Sequence, residues 1–376
     1  MKIVKIVVTN SLGELDVFFP IVTKMATERL ITIEVIFAKK ELFDKFCKSD
    51  LYLSICDKLN VKVTFSEFFR RFRNDENIFK LIKWCRFFLV SIIFLYQNRH
   101  TDLLFSDYTD DKFIIRPLQI LTKFRGRGVF AIPHGLAIQQ ETAVVEWVKP
   151  PGFVRMICFD EKTKQFHINY GYKDVKTVGY VKAFPEWIEL LRTLDSNTEH
   201  RDTFGLVFCR DVHENYMLPE KFEYLLVSSY EAIREVFPDI KIVYKLHPRQ
   251  NLDEFNKFCN TKKFVNFELI MGNPSLAVIG AKFAISTWSS AILDGYFSRI
   301  PSCEYFIEDE KFLELEPGGS IHKKDGFNSF QVKSDLIKWL RLGPKFESVE
   351  KMDQRITANL SSDKDFLNIF GLGDTP

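Results

Sequence analysis

Two polar segments late in the chain carry residue types that bind anions. The first is a strand-type run that ends in Lys245, His247 and Pro248, and the second is a similar run that ends in hydroxyl residues. That hydroxyl cluster comprises Ser286, Thr287, Ser289 and Ser290. Ligands of α/β sheets collect beyond the carboxyl ends of strands, where a helix start offers free N–H groups and a positive dipole end. The pattern predicts a phosphate-binding site and an enzyme that uses a nucleotide-activated donor.

Two charged residues extend this predicted donor site. Arg210 follows the first strand of the second half, where a guanidinium suits a phosphate or an acceptor. Glu304 lies one strand after the hydroxyl cluster, and its carboxylate could accept hydrogen bonds from two ribose hydroxyls. A solvated surface position is the alternative for these residues and for Lys245 and His247. An N-cap role is the alternative for the serines.

The first half of the chain offers acids and a histidine for catalysis. Sugar transfer to a hydroxyl needs a general base, or a carboxylate nucleophile if configuration is retained. The candidates, all near predicted strand ends, are Glu14, Asp16, Asp107, Asp111 and His134. The two aspartates that follow one buried strand, Asp107 and Asp111, rank slightly ahead. A turn or cap role is the alternative for each, so the sequence leaves the base unassigned.

Strand and helix patterns alternate along the chain, which predicts an α/β protein with parallel sheets and helices on both faces. We expect two Rossmann-like domains facing each other across a cleft. Residues 1–172 would form the N-terminal acceptor domain and residues 173–345 the C-terminal donor domain for a nucleotide sugar. Residues 346–376 would form a polar C-terminal tail.

Some element boundaries carry local signals of their own. Asn273 is expected to cap a helix that begins at Pro274, since proline is favoured at the first helical position. A second helix is expected to begin at Ser289, directly in the hydroxyl cluster. The tail is predicted to hold a short helix near 364–370.

Composition narrows the classes of function. The 376 residues include 27% charged residues and carry a formal net charge of +2, too small to indicate nucleic acid as the main partner. The 7 cysteines are odd in number, scattered and set among apolar neighbours, as in reduced cytoplasmic proteins. The N-terminus lacks the pattern of a signal peptide. We therefore expect a cytoplasmic protein.

The sequence predicts neither a metal nor a resident cofactor. The chain has no P-loop pattern, no dinucleotide fingerprint, no metalloprotease helix motif and no convincing Asp-x-Asp. Residues 75–98 are predicted to form a helix, and the apolar run within it is too short to span a bilayer. A buried core helix is one interpretation. The alternative is peripheral membrane contact through residues 70–96, which are basic and aromatic.

The quoted motifs resemble those of bacterial GT-B glycosyltransferases of cell-surface polysaccharide assembly. The pair formed by Lys245-x-His247-Pro248 and Ser286-Thr-Trp-Ser289-Ser290 is similar to a His-Pro and Ser-Ser motif group. That group includes sialyl- and polysialyltransferases, capsule Kdo transferases and CDP-glycerol glycerophosphotransferases. The resemblance implies donor binding through the histidine, the proline and the two serines. The base motif of several sialyltransferases is absent.

The expected activity is glycosyl transfer, with a CMP-activated ulosonic acid such as a sialic-acid-like sugar or Kdo as donor. The expected acceptor is a surface glycan or a lipid-linked glycan, and the inner face of the cytoplasmic membrane is the alternative to a purely cytoplasmic location. One alternative is a UDP-sugar glycosyltransferase or a CDP-polyol phosphotransferase on the same fold. More distant alternatives are a UDP-N-acetylhexosamine 2-epimerase and a non-catalytic glycan-binding module.

Overall fold

The computed structural model describes most of the chain. The described residues are 2–9, 11–66, 92, 96, 98–107, 119–133, 153–169, 171–194, 203–212, 217–359 and 362–373. They divide into two compact units. Unit 1 includes the chain up to Ala137, Glu146–Leu190 and Ala358–Pro376, and unit 2 includes Ile138–Val145 and Leu191–Thr357.

Unit 1 is built on a seven-stranded sheet in which each neighbouring pair of strands is parallel. Its strands are β1 Lys2–Val8, β2 Ile31–Phe37, β3 Lys62–Phe65, β4 Leu103–Asp107, β5 Gly128–Ile132, β6 Arg155–Cys158 and β7 Asp174–Thr177. The order across the sheet is β3-β2-β1-β4-β5-β6-β7. Strands β2 and β3 lie on one side of β1, and the later strands β4 to β7 lie on the other. The topological switch point, where the strand order reverses, therefore lies between β1 and β4.

Unit 2 repeats this plan with a six-stranded parallel sheet. Its strands are β8 Phe204–Phe208, β9 Lys241–Lys245, β10 Phe267–Ile270, β11 Ala281–Ser286, β12 Ser302–Tyr305 and β13 Ser329–Phe330. The order β10-β9-β8-β11-β12-β13 is the Rossmann order, with the switch point between β8 and β11. Both units are therefore Rossmann-like, as the sequence predicted.

Helices connect most of the successive strands. Those of the described residues are α1 Leu15–Glu28, α2 Lys40–Cys47, α3 Asp50–Lys58, a helix at 119–124, α4 Glu161–Asn169, α5 Pro185–Leu194, α6 Pro219–Val236, α7 Leu252–Thr261, α8 Pro274–Ala277, α9 Ile292–Phe297, α10 Glu310–Leu315, α11 Ile321–Asp325, α12 Lys333–Arg341, α13 Glu350–Asn359 and α14 Asp363–Ile369. The predicted cap is confirmed, because the Asn273 side chain accepts a hydrogen bond from the Ser275 N–H at 2.7 Å.

Continuous apolar runs explain why the central strands are buried on both faces. In β1, Val4, Ile6, Val7 and Val8 are all fully buried, as expected for a parallel strand covered by helices. In unit 2, a large core cluster joins β8, β9 and β11 to α6 and α12. These cores fix the strand ends, and the strand ends fix where polar side chains can gather.

The C-terminal segment, residues 358–376, belongs to unit 1, whereas residues 346–357 belong to unit 2. Phe370 of the segment packs on Phe105 of β4 and Phe130 of β5, with ring centroids 5.6 and 5.0 Å apart. The buried Lys24 ammonium of α1 lies 2.6 Å from the Asp363 carboxylate at the start of α14. The division between units falls near residue 190, later in the chain than the expected boundary at 172.

No helix within the described part of the chain is both long and apolar enough to cross a membrane. Most of the predicted membrane-contact segment at 70–96 lies outside the described residues.

Candidate functional site

The carboxyl ends of three neighbouring strands of unit 2 carry most of the predicted donor-site residues. Arg210 follows β8, His247 follows β9, and the hydroxyl cluster 286–290 ends β11. Since β8 lies between β9 and β11, the two predicted anion-binding segments flank it at the switch point of the sheet. This edge is where open parallel sheets bind ligands.

Thr287 ties the end of β11 to the end of β8. Its backbone N–H and its hydroxyl both donate to the Phe208 carbonyl, at 3.1 and 3.0 Å. The same hydroxyl oxygen accepts the Arg210 N–H at 3.1 Å. Thr287 is buried, and these bonds hold the backbone at Arg210 in place, while a contact of its hydroxyl with a donor phosphate stays a prediction.

Gln250 ties the end of β9 to the same point, and sequence reasoning did not single it out. Its side-chain oxygen accepts the His247 N–H at 2.7 Å, and its amide donates to the Arg210 carbonyl at 3.2 Å. Its own backbone N–H donates to the His247 carbonyl at 2.9 Å, which closes the turn. Three of the loops at this edge are therefore linked by hydrogen bonds through Gln250 and Thr287. The one sequence signal for the role of Gln250 was its position three residues after His247.

His247 is held as a neutral imidazole with a defined tautomer. Burial lowers the pKa of His247 from its ordinary 6.5 to about 3. Nearby positive charges act in the same direction, those of Arg249, Arg210 and Lys245. The Arg249 backbone N–H donates to Nδ1 at 3.3 Å, which makes Nδ1 the acceptor and leaves the hydrogen on Nε2; an Asp211 carboxylate oxygen lies 4.0 Å from the same Nδ1. The ring thus presents a neutral N–H donor beside positive charges, an arrangement suited to an anion.

The hydroxyl cluster does not start a helix. Helix α9 begins at Ile292, three residues after Ser289, so the prediction of a helix start at Ser289 was wrong. Ser286 accounts for the difference, because its hydroxyl donates to the Ser289 carbonyl and accepts the Ser289 N–H, both at 2.9 Å. This closed turn uses the Ser286 hydroxyl internally. Ser289 and Ser290 are half-buried, and their role as phosphate ligands stays a prediction.

Trp288 anchors the cluster through an unusual backbone conformation. It has φ of 57°, a left-handed value that is rare for a bulky residue and marks local strain. The indole is buried against Phe306 and Phe312, with centroids 5.4 and 4.9 Å away. The Arg210 guanidinium lies 4.9 Å from the indole centroid, a cation–π distance. Aromatic packing therefore holds both the strained turn and the arginine.

Two other predicted donor residues are more deeply placed than expected. Lys245 is buried and its ammonium donates to the Leu246 carbonyl at 2.9 Å. Glu304 is fully buried, so the surface alternative for it was wrong. Its two carboxylate oxygens accept hydrogen bonds from the hydroxyls of Ser320 and Ser329, at 2.9 and 3.0 Å. Burial raises the pKa of Glu304 to about 7. Its contact to a ribose stays a prediction, while Pro248 is exposed in the turn.

In unit 1, the predicted acids gather at the corresponding switch point. Asp107 ends β4 and is buried, next to β1 in the sheet. Glu14 follows β1, and its carboxylate accepts the N–H groups of Thr9 and Ser11 at 3.1 and 2.8 Å. Asp16 accepts the Tyr52 hydroxyl at 2.6 Å. The bonds of Glu14 and Asp16 fit the alternative of turn residues, and the catalytic role of Asp107 stays a prediction.

The remaining two catalytic candidates, Asp111 and His134, lie outside the described residues, so their placement is not tested. Among the described residues, one group of three carboxylates is close enough to hold a cation: Glu28, Glu186 and Asp363. The Lys24 ammonium pairs with two of these carboxylates, at 3.0 and 2.6 Å. An ion pair explains that group without a metal.

Comparison of the sequence with family models gives no match, and no curated protein matches it. Solved structures do match. A mutant of Staphylococcus aureus TarM, in complex with fondaparinux, α-GlcNAc-glycerol and UDP, aligns with a TM-score of 0.56 at 11% identity, over 98% of this chain and 100% of that one. The S. aureus MnaA–UDP complex aligns with a TM-score of 0.54 at 12% identity, over 100% and 99%.

A third match is a Listeria monocytogenes protein assigned as a UDP-N-acetylglucosamine 2-epimerase. It aligns with a TM-score of 0.52 at 14% identity, over 98% of this chain and 94% of that one. Likeness at such low identity establishes the fold alone. The fold is GT-B, two parallel-sheet α/β units, and the matches extend over nearly the whole chain.

Proposed function

We propose that this chain is a glycosyltransferase that uses a nucleotide-activated sugar and binds the donor phosphates at the carboxyl edge of the unit 2 sheet. The observation that carries the proposal is the linked arrangement at that edge. Gln250 and Thr287 bind the loops after β8, β9 and β11 together around Arg210. Such preorganised donors beside positive charge are what a leaving phosphate requires.

The bond changes assign a task to each part of the site. The acceptor hydroxyl attacks the anomeric carbon, and the bond from that carbon to the phosphate oxygen breaks. The electron pair leaves with the nucleotide, and the hydroxyl proton passes to a base. The neutral Nε2–H of His247 and the Arg210 guanidinium are suited to stabilise the negative charge that develops on the phosphate oxygen.

The proton needs a carboxylate or an imidazole on the acceptor side. Asp107 is the described candidate, because it lies at the switch point of the unit 1 sheet and ends a buried strand. Asp111 and His134 stay proposed alternatives for the same task. Whether the configuration at the anomeric carbon is retained or inverted depends on whether this group acts as a base or as a nucleophile.

The donor is best sought among UDP-sugars. UDP is bound in the matched TarM and MnaA structures, which favours a uridine diphosphate sugar over a CMP-activated ulosonic acid. The motif resemblance supports two other donors: a CMP-activated ulosonic acid, or a CDP-polyol from which a phosphotransferase would transfer the polyol phosphate. A bacterial surface glycan, free or lipid-linked, is the acceptor that the same resemblance supports.

A second candidate activity is the 2-epimerisation of a UDP-N-acetylhexosamine. The fold match to the Listeria protein is the observation that favours it. An epimerase converts one nucleotide sugar into another without an acceptor, whereas a transferase releases the nucleotide only when a hydroxyl compound or water receives the sugar. Product analysis with and without acceptor therefore separates the two.

Nucleotide-dependent stabilisation tests the proposal directly. Thermal unfolding should be recorded with UDP, CDP and CMP, and with ADP as a purine control. A ligand present at 100 times its Kd adds about 2.7 kcal/mol to the free energy of unfolding. We expect UDP to stabilise the protein most. Absence of stabilisation by any pyrimidine nucleotide would contradict the proposal and favour a glycan-binding module.

Arg210→Ala tests the location of the site. The variant should lose most of the nucleotide-dependent stabilisation, since the guanidinium is placed beside the proposed phosphate. Arg341→Ala is the matched control. Arg341 is a largely exposed arginine of the same unit, at the end of α12, and it pairs with Glu235 near the end of α6. If the Arg210 variant responds to nucleotide as fully as the control does, the donor site lies elsewhere.

A further inference from the structure

The amino-terminal edge of the unit 1 sheet exposes unusually large apolar side chains. Leu30, just before β2, is 86% exposed, and Phe124, at the end of the helix that leads to β5, is 91% exposed. Ile120, on the same face of that helix, is 50% exposed. Strands β2 and β5 are three strand spacings apart, roughly 15 Å. Apolar side chains of this size that are exposed to water at one edge of a sheet mark an interaction surface.

Two chain segments of this edge are held together as one surface. The Arg125 guanidinium donates to the Arg99 carbonyl, and the Gly128 N–H donates to the Asp102 carbonyl at 3.2 Å. The Arg99 guanidinium lies 3.9 Å from the ring centroid of Tyr96, which is 64% exposed. The segments at 96–102 and 119–128 therefore present their aromatic and basic side chains together.

The charge of the two linked segments is predominantly positive, and next to Leu30, which lies outside them, Glu28 and Arg29 carry opposite charges. The two segments contain four Lys or Arg residues and one acidic residue. The basic residues are Arg99, Lys123, Arg125 and Arg127. The single acid, Asp102, pairs with Arg127, so the positive charge of the other three is not matched by a carboxylate of these segments. Basic side chains around exposed aromatic and aliphatic groups are complementary to a membrane surface with anionic headgroups.

We propose that this amino-terminal edge, formed by Leu30, Tyr96, Arg99, Lys123, Phe124 and Arg125, docks on an anionic lipid membrane. The apolar side chains enter the boundary between headgroups and acyl chains, and the cations meet lipid phosphates. A single-stranded nucleic acid also uses cations and aromatic rings, but it gains little from an aliphatic side chain such as Leu30. The exposed aliphatic residues therefore favour lipid. The proposal does not depend on the proposed enzymatic function.

Vesicle co-sedimentation of the full chain tests this surface. We expect binding to phosphatidylcholine vesicles that contain phosphatidylglycerol and little binding to phosphatidylcholine alone. Lys123→Gln with Arg125→Gln should weaken binding roughly 25-fold, at roughly five-fold for each charge near the surface. Phe124→Ser should weaken it by at least roughly five-fold through lost insertion of the ring. All three side chains are exposed, so Lys123→Gln and Phe124→Ser should leave thermal unfolding unchanged, and losing the exposed Arg125 bond to the Arg99 carbonyl should lower the unfolding temperature only slightly.

Leu342→Ser is the matched control, because Leu342 is 75% exposed but lies after α12 in unit 2. It should bind vesicles as the unaltered chain does. The proposal is overturned if the unaltered chain does not sediment with anionic vesicles, or if the Phe124 variant sediments like the control. Binding of single-stranded RNA without vesicle binding would assign the surface to nucleic acid. A negative nucleotide result would leave this experiment unaffected.

Discussion

Glu304 should make the stability of unit 2 depend on pH near neutrality. The side chain is fully buried in β12, and burial raises its pKa from the ordinary 4.5 to about 7. Hydrogen bonds from Ser320 and Ser329 act against this shift without cancelling it. The perturbation is Glu304→Gln, which keeps the size of the side chain and a hydrogen-bonding group but cannot ionise.

The sign follows from which state binds the proton more tightly. The folded chain holds the Glu304 proton up to about pH 7, whereas the unfolded chain releases it near 4.5. The resulting stabilisation is fully present below pH 4.5 and is lost as pH rises through 7. The difference between these values corresponds to about 3 kcal/mol, as an order of magnitude for so buried a group. The Gln variant has no such loss.

The assay is urea unfolding followed by tryptophan fluorescence between pH 5 and 8, since Trp288 and Trp339 both report on unit 2. The free energy of unfolding of Glu304→Gln, minus that of the unaltered chain, should become more positive by about 2 to 3 kcal/mol as pH rises. Ser329→Ala removes one donor and should move the inflection to higher pH. A difference that stays constant across this range would refute the reasoning.

Two further predictions concern links between elements. Asp363→Ala should lower the free energy of unfolding of unit 1 by about 1 to 2 kcal/mol, since it leaves the buried Lys24 ammonium with one fewer partner; the loss is moderated by the exposure of the aspartate. Urea unfolding measures this, and a variant as stable as the unaltered chain would contradict it. Gln250→Ala should weaken UDP binding roughly ten-fold in calorimetry, because it releases the His247 turn from the Arg210 loop. Unchanged affinity would exclude a positioning role for Gln250.

The sequence by itself determined the architecture. Alternating apolar strands and amphipathic helices fix a parallel α/β plan because their periodicity is local and is read directly from neighbouring residues. Val4, Ile6, Val7 and Val8 indicate a central buried strand before any contact is known. The sequence also indicated where strands end, so the segments around His247 and Ser289 could be assigned to the carboxyl edge of the second sheet.

The tertiary structure decided what each polar group does there. The Thr287 hydroxyl bonds the Phe208 carbonyl 79 positions away, and the Gln250 amide bonds the Arg210 carbonyl 40 positions away. No local pattern contains such partners. The burial of Glu304 between two serine hydroxyls and the packing of Phe370 on the first sheet likewise depend on distant parts of the chain. Periodicity identifies strands and helices, but the environment of a side chain is set by residues that only folding brings close.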